Sequence, residues 1–222
     1  MVISTDRSAV IFVSLSLLGL CGTLAAPPAA ADIFRWDNGE LITEGNAEPD
    51  MSPRGIDLSY ADLEGAQLSN ADFSGADLTY ARLRSVVATG GDFRGANLTN
   101  ADFWHATLAD ADFSGATFTD ADFSGALVAR ASFKDTTSRG FTAEHLYSTA
   151  SYQSGDLSHM NLEFNDFSGW SFAGKNMTDT LLFGATLTAA DFSEANLTQA
   201  YIARAVLNGA DLREGQSDGR PS

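Results

Sequence analysis

The chain has 222 residues, 44% of them hydrophobic, which is enough for one domain with a substantial core. Its 29 Asp and Glu outnumber 13 Lys and Arg and give a net charge of −16, a surface that repels phosphate backbones and excludes ordinary DNA or RNA binding. The single cysteine, Cys21, excludes an internal disulfide framework.

Residues 1–31 read as an export signal. Arg7 supplies the positive start, offset by Asp6, and the apolar run from Ala9 to Gly22 is short for a membrane span. Ala29 and Ala31 satisfy the small-x-small rule, so cleavage is expected after Ala31 and a mature chain starting at Asp32. Cleavage removes Asp6 and Arg7 together, so the mature charge stays at −16. Leu20 stands before Cys21 where a lipidated signal needs a small residue, which disfavours lipidation. No later segment is long and apolar enough to span a membrane. The mature protein is therefore expected to be secreted, in the periplasm or outside the cell.

Residues 32–55 read as a capping hairpin and linker. Asn38-Gly39 lies between apolar stretches in IFRWDNGELI (33–42) and predicts a two-residue hairpin turn. Such a hairpin would cover an open N-terminal edge. From Leu58 a large apolar residue recurs every five positions, as at Leu63, Leu68, Phe73 and Leu78. A period of five fits neither helix nor strand. It fits a square coil with one repeat per side and 20 residues per coil. Phe73, Phe93, Phe113 and Phe133 recur at spacing 20 and should stack in one internal column. Alanine two places earlier, as at Ala61, Ala71 and Ala96, marks a second inward position.

The first run covers 56–133. Residues 134–154 interrupt it, with Thr142 placed to N-cap a short helix, TAEHLYST. The spacing of 24 from Phe133 to Leu157 shifts the repeat register by one. A second run covers 155–214, and the polar tail 215–222 reads as disordered. Early in that run Met160, Asn165, Trp170, Lys175 and Thr180 replace alanine. A widened or bent coil is expected around residues 160–180.

ADLEG (61–65), ADFSG (71–75, 111–115, 121–125) and ANLTN (96–100) resemble the pentapeptide-repeat family. The resemblance spans 56–133 and 155–214. It implies an all-β fold, a right-handed quadrilateral β-helix of about seven coils in two runs, on the order of 30 Å long at the usual strand spacing. Some members are similar to duplex DNA in shape and charge and bind topoisomerases. That implies an alternative role as an acidic DNA mimic, against which stand the export signal and the lack of a C-terminal dimerisation helix.

Asp72, Asp92 and Asp112 share one outward column and form a candidate cation site; the rival reading is that each bonds nearby backbone. Arg82 lies between Asp62 and Asp102 in another column, as charge relief. His105, His145 and His159 show no metal-ligand spacing, and no phosphate loop or dinucleotide fingerprint is present. No cofactor and no catalysis are expected. Phe141, His145, Tyr147, Tyr152, Trp170 and Lys175 form the candidate interaction surface. The expected function is a non-catalytic secreted structural or interaction module whose rigid acidic faces meet a protein or envelope component. Cation-dependent adhesion or surface association is a further alternative, and the C-terminal coil leaves room for a homodimer.

Overall fold

The structure, a computed structural model, describes residues 33–39, 41–43 and 55–213. The expected leader, most of the linker and the tail lie outside the described residues. Two short strands, β1 (Ile33–Phe34) and β2 (Leu41–Thr43), precede the repeats, and two helices, α1 (Ala143–Tyr147) and α2 (Ala150–Ser154), follow a 3-10 turn at Thr137–Arg139.

The repeats coil with the 20-residue period of the sequence. Parallel bridges join Asp57 to Asp77, Asp62 to Arg82, Gln67 to Val87 and Asp72 to Asp92, and continue in the same steps. Each side is too short for a long strand, because a tight turn starts at its centre. At the first corner the Ala61 N–H donates to the Leu58 carbonyl at 3.0 Å, while the Leu58 and Tyr60 N–H groups donate to Asp77 and Thr79 of the next coil. These backbone groups thus serve either the corner or the neighbouring coil, and the Ser59 N–H donates to the Asp57 carboxylate at 2.8 Å.

The corner residue sits in the left-handed region, whether it is Gly65 (φ 68°), Asn70 (φ 60°) or Ala189 (φ 56°). A Cβ there costs roughly 1–2 kcal/mol, against roughly 0.5–1 kcal/mol for glycine's extra freedom when unfolded. Ala189→Gly is therefore expected to stabilise the fold by about 0.5–1 kcal/mol, read as a higher urea midpoint. A lower midpoint would contradict this account of the corners.

The interior is apolar and rich in aromatic rings. Phe73, Phe93, Phe113 and Phe133 are fully buried and stack with centroids 5.0, 4.9 and 5.2 Å apart. A second stack of Phe103 on Phe123 meets the first edge-on, with Phe93 and Phe103 5.8 Å apart at 83°. Alanines 71, 76, 81 and 96 fill the second inward position, fully buried beside the larger centre residues.

At the N-terminal edge β1 lies antiparallel to the first coil. The Trp36 N–H donates to Tyr60 O (2.9 Å) and the Asp62 N–H to Phe34 O (2.7 Å). The Trp36 indole donates to Tyr80 O at 2.7 Å. The hairpin departs from the expected two-residue turn. Phe34 pairs with Leu41, so Arg35 to Glu40 form the connection, because Arg35 and Trp36 are occupied with the first coil. Arg82 does stand between Asp62 and Asp102 in the ladder, but its guanidinium covers Trp36 (4.4 Å), and Arg84 is the residue that pairs with Asp102.

The insertion absorbs the one-residue shift of the repeat register, so the columns stay in phase across it. Ser132 bridges to Asn161, a step of 29 and so nine residues more than a coil. On that face the ladder is unbroken: Phe133 N–H to Asn161 O (2.8 Å), Asp135 N–H to Glu163 O (3.0 Å) and Asn161 N–H to Ala131 O (3.2 Å). On the other three sides the insertion supplies the partners. Phe118 N–H donates to Arg139 O, Gly125 N–H to Ser148 O, and Ala126 O accepts from Ala150 N–H, each at 2.9 Å. The expected helix forms as α1 with Thr142 at its N-cap, and a second helix that was not expected, α2, follows it, with the Thr149 hydroxyl accepting from Tyr152 N–H as its cap. Among the described residues no helix is long and apolar enough to cross a membrane.

Candidate functional site

The aspartate column is stacked but is not arranged as a cation site. Each Oδ1 accepts the N–H two residues on: Asp72 from Ser74 (3.1 Å), Asp92 from Arg94 (3.0 Å) and Asp112 from Ser114 (2.9 Å). The Arg94 guanidinium grips Asp92 and reaches to 3.8 Å from Asp112. It stands where a bridging cation would have to sit, and its hydrogen bond holds the Asp92 carboxyl below the usual range. The next place in the column is Ser132. Among the described residues no group of three or more metal-ligating side chains comes together.

The six residues of the candidate interaction surface do converge, but largely as an internal seam. Phe141 is only 3% exposed and continues the phenylalanine stack, its ring 4.7 Å from Phe133 at 18°. It cannot present itself to a partner. Trp170 packs against Phe167 (4.7 Å), Phe141 (6.0 Å) and Tyr147 (6.1 Å). The Lys175 ammonium lies over the Tyr152 ring at 4.1 Å. Trp170 and Lys175 therefore do not force the square coil open. They meet the insertion, where the adjacent coil is missing.

The two tyrosines complete the ladder that the missing coil leaves. Tyr147 Oη accepts from Ser171 N–H at 2.6 Å, and Tyr152 O–H donates to Ser171 O at 2.9 Å. Asn165, at a nominal alanine position, is buried and does the same for four backbone groups. Its Oδ1 accepts from Thr136 N–H (2.8 Å) and Thr137 N–H (2.9 Å), and its Nδ2 donates to Phe133 O (2.7 Å) and Leu162 O (3.2 Å). Buried Thr180 donates to Leu157 O at 3.0 Å. Reading the sequence missed these roles; the signal was present in that four of the five substitutes for alanine, all but Met160, carry hydrogen-bonding groups and stand beside the interruption.

Two grooves flank the insertion. The first, of about 550 Å³, is acidic, lined by Asp120, Asp122 and Glu144 with His145 at its wall. His145 Nδ1 accepts from Thr142 N–H (2.9 Å), so the ring closes the first turn of α1 in its neutral form. Burial pushes its pKa below 6.5, against the opposing pull of the Ala121 carbonyl, Glu144, Asp120 and Asp122. The folded state thus prefers neutral His145. Its contribution to stability is fully present above pH 6.5 and is lost as pH falls through the lower folded value. Once corrected for the intrinsic slowing of exchange with falling pH, amide exchange in α1 should show an excess of opening below pH 6.5. His145→Gln, which keeps an acceptor without the titration, should abolish that excess; persistence of the excess would remove His145 as its cause.

The second groove, of about 610 Å³, lies between the insertion and the second run, with Phe164, Asp166, Ser168, Trp170 and Thr186 among its walls.

Comparison with known proteins agrees with the repeat geometry. The family model for pentapeptide repeats matches in 8 copies, over residues 56–95, 96–135, 161–199 and 180–214. No curated protein matches the chain. Among solved structures it is similar to HetL, a pentapeptide repeat protein involved in heterocyst differentiation regulation in the cyanobacterium Nostoc sp. strain PCC 7120. The identity is 19% and the TM-score 0.42, over 74% of this chain and 86% of that one. It is also similar to a pentapeptide repeat protein of the Arabidopsis thaliana thylakoid lumen, at 25% identity and TM-score 0.33 over 64% and 68% of the two chains. A third is QnrB1, a plasmid-mediated fluoroquinolone resistance protein, at 18% identity and TM-score 0.26 over 67% and 68%. Pentapeptide-repeat proteins fold as right-handed quadrilateral β-helices and are generally non-catalytic. With the repeats matched over more than half of its length, the chain belongs to the pentapeptide-repeat family.

Proposed function

We propose that this is an exported, non-catalytic interaction module whose flat acidic sides dock a basic surface on a protein or envelope component. The observation that carries this reading is the placement of charge. Asp62, Asp77, Asp92, Asp102, Asp112 and Asp122 all occupy ladder positions with solvent access, on sides held rigid by the backbone bonds between coils. A rigid face loses little freedom on binding. At the far end Ile202 and Leu212 are 37% and 47% exposed, and there a second copy would associate end to end.

The first test is fractionation of the native host with sequencing of the mature N-terminus. The expected result is a chain starting at Asp32 outside the cytoplasm. A full-length cytoplasmic chain would overturn the proposal and make topoisomerase inhibition the leading reading. Cation-dependent adhesion predicts a higher melting temperature with calcium. With Arg94 between the carboxylates, calcium is expected to leave it unchanged.

A further inference from the structure

Phe164 has a placement that the fold does not account for. It occupies a left-handed corner (φ 58°), where a bulky side chain is disfavoured and where glycine, asparagine and aspartate stand at many other corners. It is also 48% exposed. Tyr60 and Tyr80 share this oddity, but Trp36 of the capping hairpin covers the first and bonds the carbonyl of the second. Nothing comparable covers Phe164 among the described residues. Its contacts are Phe183, edge-on at 5.4 Å, and the Lys134 ammonium at 5.0 Å, which also pairs with Glu163 at 3.0 Å. The residue next to it along the corner column is Gly184, where a Cβ would come within 3.0 Å of the ring. The glycine makes room for the ring at the lip of the second groove.

That groove combines apolar ring surface with open hydrogen-bonding groups. Phe164 and Trp170 are its aromatic walls. Asp166 is exposed and kept ionised by Ser168, whose N–H and hydroxyl both donate to Oδ1 at 2.9 and 2.6 Å. Its Oδ2, and the hydroxyls of Ser138 and Thr186 on the same walls, have no partner among the described residues. An anionic ligand would be repelled by Asp166. An apolar peptide would leave the carboxylate and hydroxyls unsatisfied. A cationic side chain would meet the like charge of Lys134, whose ammonium stands 5.0 Å from the Phe164 ring. An uncharged sugar offers an apolar C–H face for the rings and hydroxyls that both donate and accept. We propose that this groove binds a gluco-configured pyranose unit of a neutral polysaccharide, its C–H face on Phe164 and its hydroxyls on Asp166, Ser138 and Thr186.

The test is titration of the full chain with cellohexaose and maltohexaose, followed by tryptophan fluorescence and calorimetry. Saturable binding of at least one hexaose is expected. Phe164→Asn should weaken it at least about tenfold, a loss of about 1.4 kcal/mol. Asparagine already holds this corner conformation at Asn70 and Asn100, so the variant should fold. Asp166→Asn keeps the acceptor for Ser168, as Asn97 does for Thr99, and should also weaken binding. Asp110→Asn, remote from the groove, should not. Absence of binding by both hexaoses at 10 mM (about −2.7 kcal/mol), or binding unchanged in Phe164→Asn, would overturn the proposal. So would an oligolysine peptide that binds where the sugars do not and is lost with Asp166→Asn, since the groove would then be a basic-peptide site.

Discussion

Asn165→Ala, the change that restores the repeat's own preferred residue, is expected to destabilise the protein by about 3–5 kcal/mol. On repeat logic alone it should help, because from Ala61 onward alanine fills this inward position through the first run except at Val86 and Gly91. Here the side chain replaces a backbone partner. Its loss strands two N–H groups, of Thr136 and Thr137, and the Leu162 carbonyl, while the Phe133 carbonyl keeps only the Thr136 hydroxyl. Each stranded group costs about 1–3 kcal/mol unless water reaches it. Urea unfolding of the full chain would measure the change. A loss below about 1 kcal/mol, or a gain, would show that the insertion closes the seam without Asn165.

Phe113→Ala should be comparably severe, at about 4 kcal/mol. Phe113 is fully buried at the crossing of the two ring stacks. It lies face to face with Phe93 and Phe133, and edge-on to Phe103 and Phe123 at 6.1 and 5.7 Å. A cavity there is walled by rings whose own positions are fixed by further rings, so little collapse can fill it. Leu207→Ala is the control, because Leu207 plays the same part in the last coil but is only partly buried. Its loss should stay near 1–2 kcal/mol. Equal losses at the two positions would mean that neither burial nor the ring crossing sets the cost.

The repeat was legible in the sequence because a coil of four identical sides imposes one period on everything inside it. Leu58, Phe73 and Ala71 each declare their orientation by spacing alone. The seam was less legible. Trp170 and Lys175 broke the alanine rule and suggested a distorted lumen, whereas both turn to the insertion, which the period does not describe. Asn165 was visible as an exception but not as a fastening, since its partners are backbone groups of Thr136 and Thr137, 29 and 28 residues away. Arg82 and Arg84 could not be told apart by column arithmetic. Which of the two met Asp102 depended on where Trp36 of the hairpin lay.

The unbroken ladder beside Ser132 and Asn161 has a mechanical consequence. Along a regular stretch of the rod, a pulling force is shared by backbone bonds on all four sides. At the insertion, one side carries the load through backbone, while on the others the second run is tied on by side chains such as Tyr147, Tyr152, Asn165 and Thr137. The rod therefore has a fuse near its middle. Stretched from its ends, it should part first at the seam into two shorter springs, with the face beside Ser132 acting as the hinge on which they open.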